Sequence, residues 1–201
     1  MRLRVAARVA PTRVEGPHAR YALWVQGCTL RCPGCCNPQM FAADGGEDVE
    51  VAAIVAELDR ARHAHGIEGL TVVGGEPLQQ LSAVASVCDG ARALGLGVLV
   101  FTGLTAREAL ARPDFAELWR SIDTLVTEPF DRERPEPSDG RRFIGSTNQR
   151  RWHRTRRYAD PMLWRGQAGA EVHFDDTGAP HVIGRPGATA PIVAALRRAA
   201  R

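Results

Sequence analysis

The sequence predicts an α/β fold with a parallel sheet, on three observations: short apolar runs that read as buried strands, amphipathic stretches of helical length between them, and glycines at the joints. Residues 20–27, RYALWVQG, are the first such run, apolar and aromatic and closed by glycine. From about Glu50 to His65, Val51, Ile54, Val55 and Leu58 recur at helical spacing until Gly66 stops the pattern. LTVVGG supplies the next strand. Leu81, Val84, Ala85 and Cys88 mark a second amphipathic helix, ended at Gly95, and GVLVF supplies a third strand. A shorter helical stretch, Ala106 to Trp119 with an interruption at Pro113, leads to IDTLVT as a fourth strand. Strands alternating with helices of this length make repeated βα units, whose right-handed crossovers give a parallel sheet with ligands at the carboxyl ends of its strands.

The remainder is less regular. Residues 129–140, PFDRERPEPSDG, are too rich in proline and charge for regular structure. An arginine-dense segment follows, RRFIGSTNQRRWHRTRRY, then a hairpin, AEVHFDDTGAPHVIG, with its turn at Asp176-Thr177-Gly178, and a short helix opened by Pro191. The length of 201 residues suits one domain over 1–201, with a core over about 20–128 and a C-terminal extension over about 129–201. No apolar run approaches the roughly 20 residues of a membrane helix. The N-terminus has no apolar core and cleavage site of a secretion signal, so the expected location is the cytoplasm. All 26 basic residues are arginine, which excludes Schiff-base and Walker-type lysine mechanisms. A net charge of +3 argues neither for nor against nucleic acid.

Four of the five cysteines fall within GCTLRCPGCCN. Cys28, Cys32 and Cys35 are spaced C-x3-C-x2-C, and Cys36 adjoins them. In a reducing compartment such a cluster binds metal more often than it forms disulfides. Three thiolates directed at one point suit an iron-sulfur cluster with one iron left open for a ligand. Structural zinc needs four ligands, and Cys36 is a poor fourth because adjacent side chains point in different directions; no second C-x2-C pair exists downstream. Spacing favours iron-sulfur, with zinc and a reactive thiol group as the alternatives.

The C-x3-C-x2-C loop after the first predicted strand resembles the signature of the radical S-adenosylmethionine superfamily. That resemblance implies a partial (β/α) barrel with a parallel sheet, the cluster loop after its first strand, and a short C-terminal hairpin and helix. It further implies that Cys28, Cys32 and Cys35 hold a 4Fe-4S cluster whose open iron takes S-adenosylmethionine. VVGGEPL, residues 72–78, resembles the family's GGE motif, which holds the cofactor's amino group: Gly74 and Gly75 would let main chain approach the ligand, and Glu76 would pair with the ammonium. By the same likeness Pro77, Asn37 and Thr102, the last in FTGLT, become cofactor contacts, although Thr102 also reads as a helix N-terminal cap.

The tail is similar to one branch, the anaerobic ribonucleotide reductase activating proteins of the glycyl-radical-activating group. DTLVTEPF is followed by RRFIGSTNQRR, whose Gly-Ser-x-Asn-Gln-Arg motif puts Ser146, Asn148, Gln149 and Arg150 forward as substrate or partner residues. VIGRP resembles the branch's closing strand. The likeness implies a glycyl radical enzyme as partner, a reductant such as flavodoxin or ferredoxin, and hydrogen abstraction from a backbone glycine. Alternatives are a small-molecule or peptide substrate, and a zinc module that holds nucleic acid without catalysis. Two departures stand out: Cys36 replaces a usual aromatic residue, and Thr127-Glu128 replaces a usual Asp-Gly before Pro-Phe. Cys36 and Cys88 cannot hold an auxiliary cluster, which needs about four more thiolates. Cys88, on the apolar face of its helix, reads as a buried inert thiol. The arginines of 141–157 read either as a solvated face or as a site for an anionic partner.

Overall fold

In the computed structural model, residues 1–174 and 178–199 are described. Among the described residues, nine strands lie at Arg2–Thr12 (β1), Arg20–Val25 (β2), Glu47–Glu50 (β3), Gly69–Gly74 (β4), Gly97–Phe101 (β5), Thr124–Thr127 (β6), Arg150–His153 (β7), Ala170–Phe174 (β8) and Pro180–Gly184 (β9). The α-helices are Val51–His65 (α1), Leu81–Ala93 (α2), Ala106–Leu110 (α3), Phe115–Ser121 (α4) and Pro186–Ala199 (α5). Seven strands form one open sheet in the order β3-β1-β2-β4-β5-β6-β7. The middle four pair in parallel, while β1, β3 and β7 add antiparallel margins. This is a partial (β/α) arrangement that does not close into a barrel.

The parallel strands are buried on both faces, which is why their sequences read as apolar runs rather than as alternation. One face packs Tyr21, Leu23, Leu70, Val72, Val98, Val100 and Leu125 against Ile54 and Leu58 of α1, Val84 and Cys88 of α2, and Leu118 of α4. Cys88 is fully buried, as expected, and burial pushes its thiol pKa up. The other face divides into two groups: Ala22, Trp24 and Met40 at one side, and Leu99, Val126, Phe143, Ile144, Tyr158 and Trp164 at the other. Between them the sheet stays open to a cavity.

Several sequence expectations need correction. The strand at 20–25 is the second in the chain, because β1 precedes it; the cluster loop follows the first parallel strand. The helical stretch over 106–119, by contrast, breaks at Pro113 as expected, into α3 and α4, since proline cannot supply a main-chain N–H. The arginine-dense segment, for which the sequence predicts no element, contains β7. The last helix opens at Pro186, not Pro191: Arg185 accepts from the N–H groups of Ala188 and Thr189, and Pro191 lies inside the helix. The hairpin forms as five cross-strand pairs from Ala170↔Gly184 to Phe174↔Pro180, but Asp176 and Thr177 of its expected turn lie outside the described residues.

Candidate active site

The carboxyl ends of the four parallel strands converge on a cavity of about 340 Å³, within the range of small-molecule sites. Trp24, Val73 and Phe101, one from each of β2, β4 and β5, form its apolar floor. Cys28, Cys32, Cys35, Asn37, Gly74, Gly75, Glu76, Thr102 and Gln149 line it. Pro77, Ser146, Asn148 and Arg150 do not.

Hydrogen bonds between main-chain groups hold the cysteine loop to β4. Gly75 N–H donates to Val25 O at 2.8 Å and Glu76 N–H donates to Gly27 O at 2.8 Å, so the cluster loop and the GGE turn form a single unit. This contact explains the two glycines differently from the sequence reading. A Cβ on Gly75 would lie 2.3 Å from Gly27 O, and one on Gly74, which has φ +108°, would lie 2.7 Å from Val25 N. The tight neighbour of each glycine is therefore the chain's own backbone.

Glu76 is 1% exposed. Its Oε1 accepts from Thr102 Oγ1 at 2.7 Å and from Leu78 N–H at 2.9 Å, and its Oε2 accepts from Gly103 N–H at 2.8 Å. Burial still raises its pKa above the ordinary carboxylate value, against the pull of those three bonds. Thr102 thus positions Glu76 and caps no helix; the cap of α3 is Thr105, in a capping box with Glu108. Pro77 is buried at the start of the short 3-10 turn that follows.

All four clustered cysteines reach the cavity wall. Asn37 N–H donates to Cys35 Sγ at 3.4 Å. The adjoining Cys36 thiol and then the Asn37 N–H lower the Cys35 thiol pKa to about 6 against the effect of burial, while Cys35 and burial push Cys36 up. Burial raises Cys32, with the Cys35 and Cys28 thiols adding to it against a main-chain bond from Phe130. Among the described residues, no three Cys, His, Asp or Glu side chains converge tightly enough to hold a metal ion as they stand. The chemistry of the donor set, three cysteine thiols lining one cavity, fits an iron-sulfur cluster with one iron open.

The GSTNQR motif forms a wall beside the cavity. Ser146 is fully buried and its Oγ accepts from Asp131 N–H; Gln149 Oε1 accepts from Gly145 and Ser146 N–H; Asn148 Nδ2 donates to Pro129 O. Arg150 is exposed at the start of β7. Two cavity-lining acids escaped sequence reasoning. Glu15, in the β1–β2 connection, is pushed by burial up to about 8, with a main-chain bond from Gly184 opposing and Glu171 reinforcing the shift. No spacing signal marks it. Glu128 has φ +84°, a conformation that favours glycine. Val182, Ile183 and Arg185 of the C-terminal extension also line the cavity, a long-range contact that local pattern cannot reveal.

Comparison with known proteins agrees with this arrangement. Residues 14–152 match the family described as a 4Fe-4S single cluster domain, so the chain belongs to that family. Its relatives place it in the activase group of the radical S-adenosylmethionine superfamily. The anaerobic ribonucleoside-triphosphate reductase-activating protein of Escherichia coli is 31% identical over 168 residues, covering 80% of this chain and 91% of the relative. Its Vibrio cholerae counterpart is 32% identical over 146 residues, covering 68% and 88%. A 7-carboxy-7-deazaguanine synthase from Hyperthermus butylicus is 34% identical over 121 residues, but the match covers 59% of this chain and 48% of the synthase. The chain thus spans about half of the synthase and nearly all of the activating proteins.

Proposed function

We propose that Cys28, Cys32 and Cys35 hold a 4Fe-4S cluster, that S-adenosylmethionine fills the cavity with Glu76 against its ammonium, and that the chain, acting as one domain in the cytoplasm, activates a glycyl radical enzyme such as anaerobic ribonucleotide reductase. The observation that carries this is the meeting, in one cavity, of the cysteine loop and the Glu76–Thr102–Gly103 cradle. A cluster held by Cys28, Cys32 and Cys35 and reduced by a donor such as flavodoxin or ferredoxin would supply the electron for reductive cleavage of the sulfonium to methionine and a 5'-deoxyadenosyl radical, the species that would take a hydrogen atom from a substrate glycine.

The chain's own residues do the rest. Glu76, desolvated yet fixed by three donors, gains more from an ammonium partner than a solvated carboxylate would. Trp24, Val73 and Phe101 exclude water from the floor, and the extension closes the opposite side. Asn37 N–H favours the thiolate form of Cys35 that a metal needs.

Incubating the reduced protein with S-adenosylmethionine tests the proposal. 5'-Deoxyadenosine and a glycyl radical signal on added reductase are expected. 5'-Deoxyadenosine without that signal would move the reading to a small-molecule or peptide substrate, the direction of the synthase resemblance. Protein containing zinc and no iron would support the non-catalytic module.

A further inference from the structure

A groove of about 560 Å³ lies outside the cavity, between the cluster loop and α5. Cys36, Thr189 and Val193 line both spaces, so the two share a wall at Cys36, the neighbour of Cys35. Ala190 and Ala194 add small apolar surface to the groove, and Arg197 and Arg198, in the last turn of α5, supply its only charges among the described residues. Both arginines are exposed, and neither has a hydrogen bond or ion pair among the described residues. Glu15, the acid whose charge bears on Cys36, lines the cavity and not the groove.

Arginines in a last turn complement the helix dipole whichever way they point. Here they also give an apolar patch beside the cysteine loop a positive end. The proposed function calls on two protein partners, a substrate and a reductant, and they need different approaches. A substrate has to enter the cavity, where the cofactor would lie against Glu76. A reductant has only to come close to the cysteine loop from outside, which this groove allows without passing Cys36. Redox encounters need little contact area, and opposite charge raises their rate of association. The charge of the groove selects a partner whose docking rim is acidic.

We infer that this groove docks a small acidic one-electron carrier protein, its carboxylates on Arg197 and Arg198 and its redox group against Ala194 and the Cys36 side of the loop. The inference rests on the reading that Cys28, Cys32 and Cys35 hold a cluster, and adds where the electron enters. A carrier with a flavin hydroquinone anion gives one electron to the oxidised cluster and becomes the neutral semiquinone; no bond forms or breaks and no proton moves.

The test measures binding as well as reduction: the full chain with its reconstituted cluster is titrated calorimetrically with flavodoxin, an acidic carrier. Affinity should fall about tenfold between about 50 and about 300 mM salt, as screening of exposed charges requires. Arg197→Glu combined with Arg198→Glu, both exposed changes at the end of the last helix, should weaken binding about tenfold at low salt and remove most of the salt dependence. Ala194→Glu, within the groove, should weaken it similarly. Stopped-flow reduction by flavodoxin hydroquinone should slow in parallel, while photoreduced deazariboflavin, a small uncharged reductant that needs no docking, should reduce all variants at the same rate. Unchanged flavodoxin binding in either variant, or salt-independent binding by the unsubstituted chain, would overturn the inference. So would variants that bind flavodoxin normally yet lose radical formation on added reductase, which would give the groove to the protein substrate. A chain that cleaves S-adenosylmethionine under deazariboflavin reduction but shows any of these results loses the docking face and keeps the proposed function; one that loads no cluster loses both.

Discussion

Glu76 illustrates how much of the site lies in single residues. Its carboxylate is solvated by Thr102, Leu78 and Gly103 in place of water. Glu76→Ala should keep full iron and sulfide while weakening S-adenosylmethionine binding at least tenfold by equilibrium dialysis, and Thr102→Val, which removes one neutral donor, should cost about fivefold. Cys32→Ala should lose iron and acid-labile sulfide together, because two thiolates cannot retain the cluster. Glu128→Gly should raise stability by about 1 kcal/mol in urea titration, the strain of a side chain at φ +84° less the extra chain entropy of glycine. The sequence exposed the cysteines and the GGE turn because each is a compact local pattern. It did not expose the role of Thr102, which meets Glu76 only after an intervening helix and strand bring them together.

Among elements, the parallel strands were legible and the antiparallel margins were not. β1 begins with Leu3 and Val5 inward, but register shifts after Val5 and Val9 break the alternation that would announce a strand. β3, sequence EDVE, owes its place to pairing with β1 and to Arg2, which bonds Asp48 and Glu50. At the amino ends of the parallel strands, Arg20 is wholly buried, donating to Thr71 Oγ1, Glu68, Tyr158 Oη and the carbonyls of Leu70 and Gly97. Arg157 joins the same Glu68 at 2.6 Å, so this network ties the extension to the sheet. Arg20→Ala should destabilise by about 3–5 kcal/mol, since it leaves these acceptors buried without a donor. In the loop before β7, burial would raise Glu136, but hydrogen bonds and charge from Arg141 outweigh it and hold its pKa below the ordinary carboxylate value. A group lowered in this way stabilises the fold fully above its unfolded pKa and loses that contribution as pH falls through its folded value. Glu136→Gln should therefore cost about 2 kcal/mol at neutral pH, less than a fully buried pair because Arg141 is partly solvated. Chemical denaturation at decreasing pH should show the gap closing below about pH 4.

At the scale of the whole molecule, the sheet is a divider. Helices α1, α2 and α4 cover one face; the cluster loop and the extension share the other and leave the cavity between them. No helix among the described residues is long and apolar enough to cross a membrane. The division explains why sequence reading found the βα core but not β7 or the packing of the segment around it: the core is set by local period, whereas that segment is placed by Phe143, Tyr158 and Trp164 packing across the sheet. Trp164 is fully buried, meets Phe143 edge-on at 6.0 Å and donates to Tyr158 O. The proposed function joins both halves: three thiols would leave one iron free, and the cavity beside it would receive a sulfonium cofactor. Electron paramagnetic resonance of the reduced, anaerobically reconstituted protein, recorded with and without S-adenosylmethionine, tests it most directly. A reduced cluster signal whose shape changes on adding the cofactor is predicted; no cluster signal, or one that the cofactor leaves unaltered, would contradict it.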